Sequence, residues 1–304
     1  NVSEYRGIPL RVAIVGFGRM GQTRKQALEV THTGQVVGVV PGPGDAVPDD
    51  VPIIDLEKVL DDPGIDAVFA CSVNSVNSQV TKDALAAGKH VFCEKPPAMN
   101  LEDMERIRLI ESQCKGVLMY GFNHRHHGGV RKMKEILDSG KLGQILWMRG
   151  RYGKSVDKDF FTSWRANPTL SGGGILMDQG IHMLDMMQYL AGDFDEVQAM
   201  VSSLFWDLEG IEDNVFLNMR NTETGVSASL HSTMIQWRHL FSFEVFMERG
   251  YMVLNGLKTS SNSYGAEELV VNTNSAGVPA ADWRRESSQK WEKDESWEIE
   301  AKLF

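Results

Sequence analysis

Along the first 120 residues, short apolar runs alternate with helix-compatible stretches. Residues 10–15 (Leu-Arg-Val-Ala-Ile-Val) lead into a stretch of helical character through Glu29, and a second apolar run at 36–40 follows about one crossover later. Further runs at 51–54, 67–71, 90–93 and 116–120 read as strands, with helical stretches at 56–60, 77–87 and 101–112 between them. Brief apolar runs separated by helices belong to strands buried on both faces. The pattern therefore predicts an α/β domain over residues 1–123, a doubly wound parallel sheet covered on both faces. One crossover is irregular. Residues 41–50 hold three prolines and two glycines, a composition hostile to a helix, so this is either a bare loop or a place where residues are missing.

After residue 123 the texture changes. A helix is predicted at 129–139, a loop-rich stretch runs to 174, and a second helix runs to 190. Period-2 alternation then marks strands at 196–207, 214–220, 225–236, 240–248 and 251–258. Within one of them Phe241, Phe243, Val245 and Met247 take one face, and Ser242 and Glu244 the other. Residues 124–304 are thus expected to form an α+β domain with a largely antiparallel open sheet and helices on one side. The polar tail from Ala281 carries Trp283, Trp291 and Trp297. Large aromatic side chains predict that this segment packs on the body or on a partner.

Composition adds exclusions. The 304 residues include 31 Lys and Arg against 41 Asp and Glu, a formal charge of −10, with 42% hydrophobic and 24% charged residues. That is ordinary globular composition and enough chain for two domains. An acidic balance without basic runs argues against nucleic acid and anionic membrane as partners. The longest basic cluster, Arg131-Lys132-Met133-Lys134, reads as a solvated helix face. No apolar run approaches the roughly 18–20 residues of a membrane span. No secretory layout opens the chain. Cys71, Cys93 and Cys114 are too scattered for a disulfide framework or a metal site. The expectation is a soluble cytoplasmic protein without a metal. A start on Asn1 and an end on Leu303-Phe304 further predict that residues are absent at both ends.

Candidate chemistry begins at Gly16-Phe17-Gly18-Arg19-Met20-Gly21, which directly follows a predicted strand and opens a predicted helix. In that setting the first glycine allows a tight turn and the second lets the backbone approach a pyrophosphate. The third lets helix and strand pack closely, and the helix N-terminus offers free N–H groups. The acid that holds an adenosine ribose is expected about 20 residues on, but the count lands on Pro41. Asp45, Asp49 and Asp50 stand nearby, and no Lys or Arg occurs between Lys25 and Lys58. A 2′-phosphate would meet acids and no cation, which favours NAD and leaves NADP open.

Lys95 follows the strand at 90–93 and Glu94 and precedes Pro96-Pro97, at the strand end where parallel sheets bind ligands. An ammonium there can donate to a substrate oxygen. Cys71 and Cys93 end adjacent strands and read as small buried side chains. On the apolar helix from Gly174 to Leu190, Asp178, His182 and Asp185 fall at i, i+4 and i+7. Three ionisable groups on one face of a buried helix require a polar cavity. A histidine suits general-base work near neutral pH, with an acid nearby to orient it, although a core histidine satisfied by either acid has the same pattern. A metal reading lacks a second spaced histidine. His124, His126 and His127 read as ordinary helix-entry residues.

Taken with Gly16–Gly21, the segments Ala87-Gly-Lys-His-Val-Phe-Cys-Glu-Lys-Pro96 and Ser171-Gly-Gly-Gly-Ile-Leu-Met-Asp-Gln-Gly-Ile-His182 make the chain resemble the glucose-fructose oxidoreductase / inositol dehydrogenase family, Gfo/Idh/MocA. The resemblance implies a Rossmann domain followed by an α+β domain whose open sheet joins dimers or tetramers. It also implies NAD(P)-dependent hydride exchange with a hydroxyl or keto carbon of a sugar, sugar derivative or cyclitol. Lys95 would be the active-site lysine, Asp178 a substrate-binding or proton-relay acid, and His182 the general acid/base. Asn123, Arg125, Trp164 and Arg165 would border the substrate. Gly16, Phe17, Gly18, Arg19, Met20, Gly21, Ser72, Asn74, Asn77, Glu94 and Lys95 would border the cofactor. Many relatives have Thr-Pro, and a few residues on a His, where this chain has Ser72-Val73 and Asn77. Two other readings stay open: a non-catalytic NAD-binding regulator, against which the retained Lys95, Asp178 and His182 speak, and an oxidoreductase of dihydrodiols or imines.

Overall fold

Strand β1 (Leu10–Val15) is completely buried from Val12 to Ile14 and sits inside a parallel sheet ordered β2-β1-β3-β4-β5. The remaining strands are β2 (Gly34–Val40), β3 (Ala67–Ala70), β4 (His90–Glu94) and β5 (Leu118–Gly121). Helices α1 (Arg19–Thr31), α2 (Leu56–Asp61), α3 (Asn74–Ala86) and α4 (Leu101–Gln113) supply the crossovers. Two buried clusters, one with Val68, Val91 and Ile107 and one with Ile14, Phe69 and Phe92, cover the faces of this sheet. A doubly wound sheet requires that arrangement.

The computed structural model describes residues 7–274 and 285–304. The chain divides into two compact units. The first holds residues up to Asn123 together with Thr169–Gly172 and Trp297–Phe304, and the second holds His124–Pro168 and Gly173–Ser296. The terminal helix therefore groups with the parallel sheet and not with the residues that precede it.

One expected strand of the first unit is not a strand. Residues 51–54 make only the single bridge Val39↔Ile53. Val39 N–H donates to the Pro52 carbonyl at 2.8 Å and Ile54 N–H to the Val39 carbonyl at 2.9 Å. Pro52 has no N–H of its own with which to extend a ladder. The sheet has five strands among the described residues, and the crossover from β2 to β3 runs across residues 41–66 with α2 inside it.

The second unit is built on an eight-stranded sheet ordered β13-β12-β11-β10-β6-β9-β8-β7, antiparallel throughout except for the β6–β9 pair. Its strands are β6 (Ile145–Ser155), β7 (Glu196–Ser202), β8 (Asn214–Arg220), β9 (Ser227–Thr233), β10 (Ile235–Met247), β11 (Gly250–Asn255), β12 (Glu267–Thr273) and β13 (Ser287–Trp291). Helices α5 (Gly128–Asp138), the short α6 (Lys158–Thr162) and α8 (Ile181–Ala191) complete it, while the single turn α7 (Pro168–Ser171), but for Pro168, and the terminal helix α9 (Ser296–Leu303), but for Ser296, group with the first unit. Met183, Met186 and Met187 of α8 join Leu217, Leu230, Phe243 and Met252 in its core.

Residues 145–155, expected to be loop, form a central strand. Met148, Gly150 and Tyr152 face the core while Arg149 and Arg151 face outward, and the glycines at 150 and 153 interrupt the apolar signal. Gly150 is where the helix lies against the sheet: a Cβ there would come within 2.6 Å of Met183 Cγ. Strands β12 and β13 also lie outside the expected set, and β10 begins five residues early, with a register shift between Ile235 and Leu240. In the tail, Trp291 packs on the core of the second unit and Trp297 on that of the first, as their size predicts, while Trp283 lies outside the described residues.

A buried cation organises the first unit. Arg24 on α1 is 1% exposed. Its Nε donates to Glu94 Oε1 and its Nη1 to Glu300 Oε2, each at 2.6 Å. The guanidinium lies 4.3 Å from the Phe92 ring centroid and 4.8 Å from that of Trp297. Burial works against its charge, but the two carboxylates outweigh burial and raise its pKa. Phe304 closes the assembly edge-on to Phe69 and Phe92, at 5.2 and 5.7 Å. Replacing Arg24 by Met should cost about 3–5 kcal/mol in urea unfolding, because two buried carboxylates lose their counter-charge. A loss below about 1 kcal/mol would show that the network is dispensable.

Candidate functional site

The turn from β1 into α1 has the geometry that a dinucleotide phosphate needs. Gly16 adopts φ +85°, and a Cβ there would lie 2.6 Å from the Ser72 backbone. A Cβ at Gly21 would lie 2.3 Å from the Gly16 carbonyl oxygen. No side chain caps the start of α1, and its first turn carries no acid, so its N–H groups and partial positive charge are available to an anion. These features fit a pyrophosphate held by backbone.

Of the three acids after β2, Asp45 folds back on this turn. Its Oδ2 accepts from Phe17 N–H at 2.6 Å and from Gly42 N–H at 2.7 Å, and a Cβ on Gly18 would stand 3.2 Å from its Oδ1. The loop after β2 thus brings a carboxylate, not a cation, beside the glycine turn. That suits the free 2′-hydroxyl of NAD better than a phosphate.

Ser72 is held by Asn77, which accepts from Ser72 N–H at 2.9 Å and donates to its carbonyl at 3.1 Å. Asn74 donates to the Ser171 carbonyl at 2.7 Å. The Glu94 carboxylate is engaged with Arg24, and half-buried Lys95 follows at the end of β4, joined to Pro96 by a cis peptide. Asn77 and Glu94 therefore brace the walls of the turn with their side chains. Cys71 and Cys93 are free and buried, and burial pushes the Cys93 thiol up to about 12.

In the second unit the polar stripe of the sequence becomes a charged cluster. Glu212 accepts from Gly174 N–H at 2.6 Å and Leu176 N–H at 2.9 Å, anchoring the entry to the helix. The first turn, Leu176–Gly180, is a π-helix that runs into α8, a local irregularity common where side chains must be re-aimed. Asp178 sits in that turn. Its Oδ2 accepts from Lys154 Nζ at 2.6 Å and its Oδ1 from Arg165 Nε at 3.2 Å. Trp164 flanks the pair, with the Arg165 guanidinium 4.5 Å from its ring.

One turn on, buried His182 stacks on His124 with ring centroids 3.8 Å apart and planes 17° from parallel. Nε2 of His124 lies 2.9 Å from Tyr152 Oη. His124 is thus part of the site and not merely a helix-entry residue. Asp185 takes a two-pronged contact from Arg125, Nε at 2.7 Å and Nη2 at 2.5 Å. Burial raises the Asp185 carboxyl above its ordinary range while Arg125 pulls it down. Tyr264, which accepts from Gln179 Nε2 at 2.6 Å, is pushed by burial to about 12, so it serves as a neutral hydroxyl.

Among the sequence candidates, Asp178, His182, Asp185, Arg125, Trp164 and Arg165 converge within the second unit, and the glycine turn, Ser72, Asn74, Asn77, Glu94 and Lys95 lie in the first, with buried Asn123 its last residue before the break. Lys154, His124, Tyr152 and Tyr264 were missed by the sequence. Among the described residues no group of three or more His, Cys, Asp or Glu is placed to hold a metal. Gly16→Ala should weaken NADH binding at least tenfold in a fluorescence titration, because the added methyl would displace the Ser72 backbone and strain the positive φ. Unchanged affinity would separate the turn from the dinucleotide.

Residues 10–122 match the family model described as an oxidoreductase family with an NAD-binding Rossmann fold, and residues 130–253 match the GFO/IDH/MocA C-terminal domain. The chain is 34% identical over 151 residues to levoglucosan dehydrogenase of Pseudarthrobacter phenanthrenivorans, covering 49% of this chain and 39% of that protein. It is 29% identical over 210 residues to 1,5-anhydro-D-fructose reductase of Ensifer adhaerens, covering 68% and 62%. Against myo-inositol 2-dehydrogenase of Thermotoga maritima it is 28% identical over 193 residues, covering 60% and 55%. The matches thus span 39 to 62% of these relatives' lengths. In fold, it resembles levoglucosan dehydrogenase in complex with NADH and L-sorbose, with TM-score 0.80, 23% identity, and 97% and 88% of the two chains covered. An inositol dehydrogenase homolog from Azotobacter vinelandii complexed with NAD+ gives TM-score 0.82 at 20% identity, covering 100% and 86%.

Proposed function

Because the chain belongs to the GFO/IDH/MocA family, we propose that it is an NAD-dependent oxidoreductase that interconverts a hydroxyl and a keto carbon of a sugar, sugar derivative or cyclitol. The observation that carries this reading is Asp178 held between Lys154 and Arg165, one helical turn from buried His182. Such a set of donors and acceptors suits a polyhydroxylated ring, and the imidazole can move a proton near neutral pH.

NAD supplies the carbon that takes up or gives back the hydride when bound. The chain's own residues hold and orient. Gly16 and Gly21 let the backbone close on a pyrophosphate, and Asp45 stands where a 2′-phosphate would be repelled. His182 takes the proton of the reacting hydroxyl at an imidazole nitrogen, with its ring plane fixed by the stack on His124. Lys154 and Arg165 hold the Asp178 side chain in place and donate to neighbouring hydroxyls. Lys95, carried over at Glu94-Lys95-Pro96, donates to the reacting oxygen. The named relatives are dehydrogenases and reductases of sugars and cyclitols, which favours catalysis over a purely regulatory role.

The test is a panel of sugars and cyclitols with NAD+, followed at the absorbance of NADH. At least one member should be oxidised. Lys95→Met should lower kcat by about 10²–10⁴-fold while leaving NADH binding in place. A panel without turnover, or near-normal turnover in the variant, would overturn the assignment.

The reading extends to assembly as a homodimer or homotetramer through the outer face of the eight-stranded sheet. That face carries Met200 and Phe216, opposite each other on β7 and β8, at 68% and 45% exposure. It also carries the stack Trp147–Phe246–Tyr251, with successive centroids 4.2 and 5.1 Å apart. An apolar stretch of that kind marks an interaction surface. Phe216→Glu should reduce the sedimenting mass to that of one chain, and an unchanged mass would exclude this face. Three free thiols support a cytoplasmic setting, which cell fractionation would check. Among the described residues no helix is long and apolar enough to cross a membrane.

A further inference from the structure

We infer that the charged cluster of the second unit continues onto an aromatic shelf that receives a second sugar ring, so that the substrate is a glycosidically linked sugar and not a free monosaccharide. This rests on the sugar-oxidoreductase reading above and names the substrate class of that site. The shelf consists of Phe161, Phe205, Trp206 and Trp237.

Its rings meet at steep angles. Phe205 stands at 87° to Trp206 with centroids 4.7 Å apart and at 85° to Trp237 at 5.3 Å, and Phe161 approaches Trp206 at 5.0 Å. Phe205 and Trp237 are 57% and 63% exposed. Rings so exposed would ordinarily be free to reorient, yet the backbone beneath these is fastened. Asp213, 1% exposed, accepts from the N–H groups of Leu204, Phe205 and Trp206 at 2.8 to 3.1 Å. The Trp206 indole N–H donates to the Met234 carbonyl at 3.1 Å. Trp237 adopts φ +58°, a strained conformation for a bulky residue. It sits where the β10 register slips, with Gln236 bridging to the Arg238 carbonyl at 2.7 Å. Such a bulge re-aims a side chain. The fold thus holds Trp237 out in solvent at a cost that the core does not require.

The shelf adjoins Asp178 through Lys154. Lys154 Nζ contacts Asp178 on one side and lies 5.4 Å from the Phe160 ring on the other, and Phe160 meets Phe161 edge to face at 5.7 Å. Ile235, two residues before Trp237, pairs with Ser155, the residue after Lys154. A sugar ring offers hydroxyls at its rim and an apolar C–H face. The charged cluster matches the rim of one ring, and an aromatic face matches the C–H face of the next while its hydroxyls stay in water. The steep angles make a corner suited to a small ring, unlike the broad apolar face of the sheet.

The experiment compares kcat/KM for matched pairs, D-glucose with cellobiose and D-galactose with lactose, in the wild-type chain, Trp237→Ala and Trp237→Phe. The wild type should prefer the linked member. In Trp237→Ala the ratio of linked to free sugar should fall at least tenfold through a rise in KM for the disaccharide, and Trp237→Phe should restore most of it. A general folding or catalytic defect lowers both members alike, so an unchanged ratio overturns the inference. An unchanged ratio with a fall in sedimenting mass would assign the shelf to a second copy of the chain instead. If the whole panel of sugars and cyclitols gives no turnover with NAD+, the sugar reading fails and the inference falls with it; turnover elsewhere in the panel with neither disaccharide oxidised defeats the inference alone. Turnover without an altered ratio defeats the inference alone.

Discussion

A single buried guanidinium determines how the parallel-sheet unit is assembled. Arg24 could not be desolvated without counter-charge, and its two carboxylates come from widely separated parts of the chain, Glu94 at the end of β4 and Glu300 in α9. Gly121 keeps the space beside it, since a Cβ there would come within 2.9 Å of Arg24 Nη2. The same cation therefore ties together the helix that follows the glycine turn, the strand end that presents Lys95, and the last helix of the chain. The placement of the dinucleotide turn relative to Lys95 is a matter of ionic geometry inside one core.

The second unit uses its carboxylates differently. Glu212, Asp213 and Glu267 bind backbone N–H groups: Glu212 at the start of the π turn, Asp213 along residues 204–206, and Glu267 at Gly129 and Lys258. Glu267, fully buried, has its carboxyl lowered because its bonds to His127 and backbone outweigh the opposing effect of burial. Part of the acidic excess is thus structural. It fastens loops that carry functional side chains and does not form a repulsive surface.

The parallel sheet was legible because doubly buried strands appear as unbroken apolar runs, and the run at 51–54 misled because apolarity alone does not reveal that Pro52, lacking an N–H, limits the segment to the single bridge Val39↔Ile53. β6 stayed hidden behind Arg149, Arg151 and two glycines, although its alternation is regular once the outward arginines are recognised. Asp178, His182 and Asp185 stood out as charges on an apolar helix. Lys154, His124 and Tyr152 did not, because each is unremarkable in its own segment and acquires meaning only when β6 brings Lys154 to Asp178 and Tyr152 to His124.

The parallel pairing of β6 with β9 inside an otherwise antiparallel sheet has an evolutionary consequence. The chain leaves β6 after Ser155 and comes back alongside that strand only at β9, where Ser227 pairs with Trp147 near the start of β6. Between these points lie Arg165, Asp178, His182 and three of the four shelf aromatics, together with strands β8 and β7 at one end of the sheet. A connection this long gains or loses residues at little extra closure entropy, so it can lengthen, shorten or change its residues at little cost to the strands that anchor it. Selection can therefore exchange this segment much as a cassette, refitting the protein to a new substrate while the sheet keeps its register.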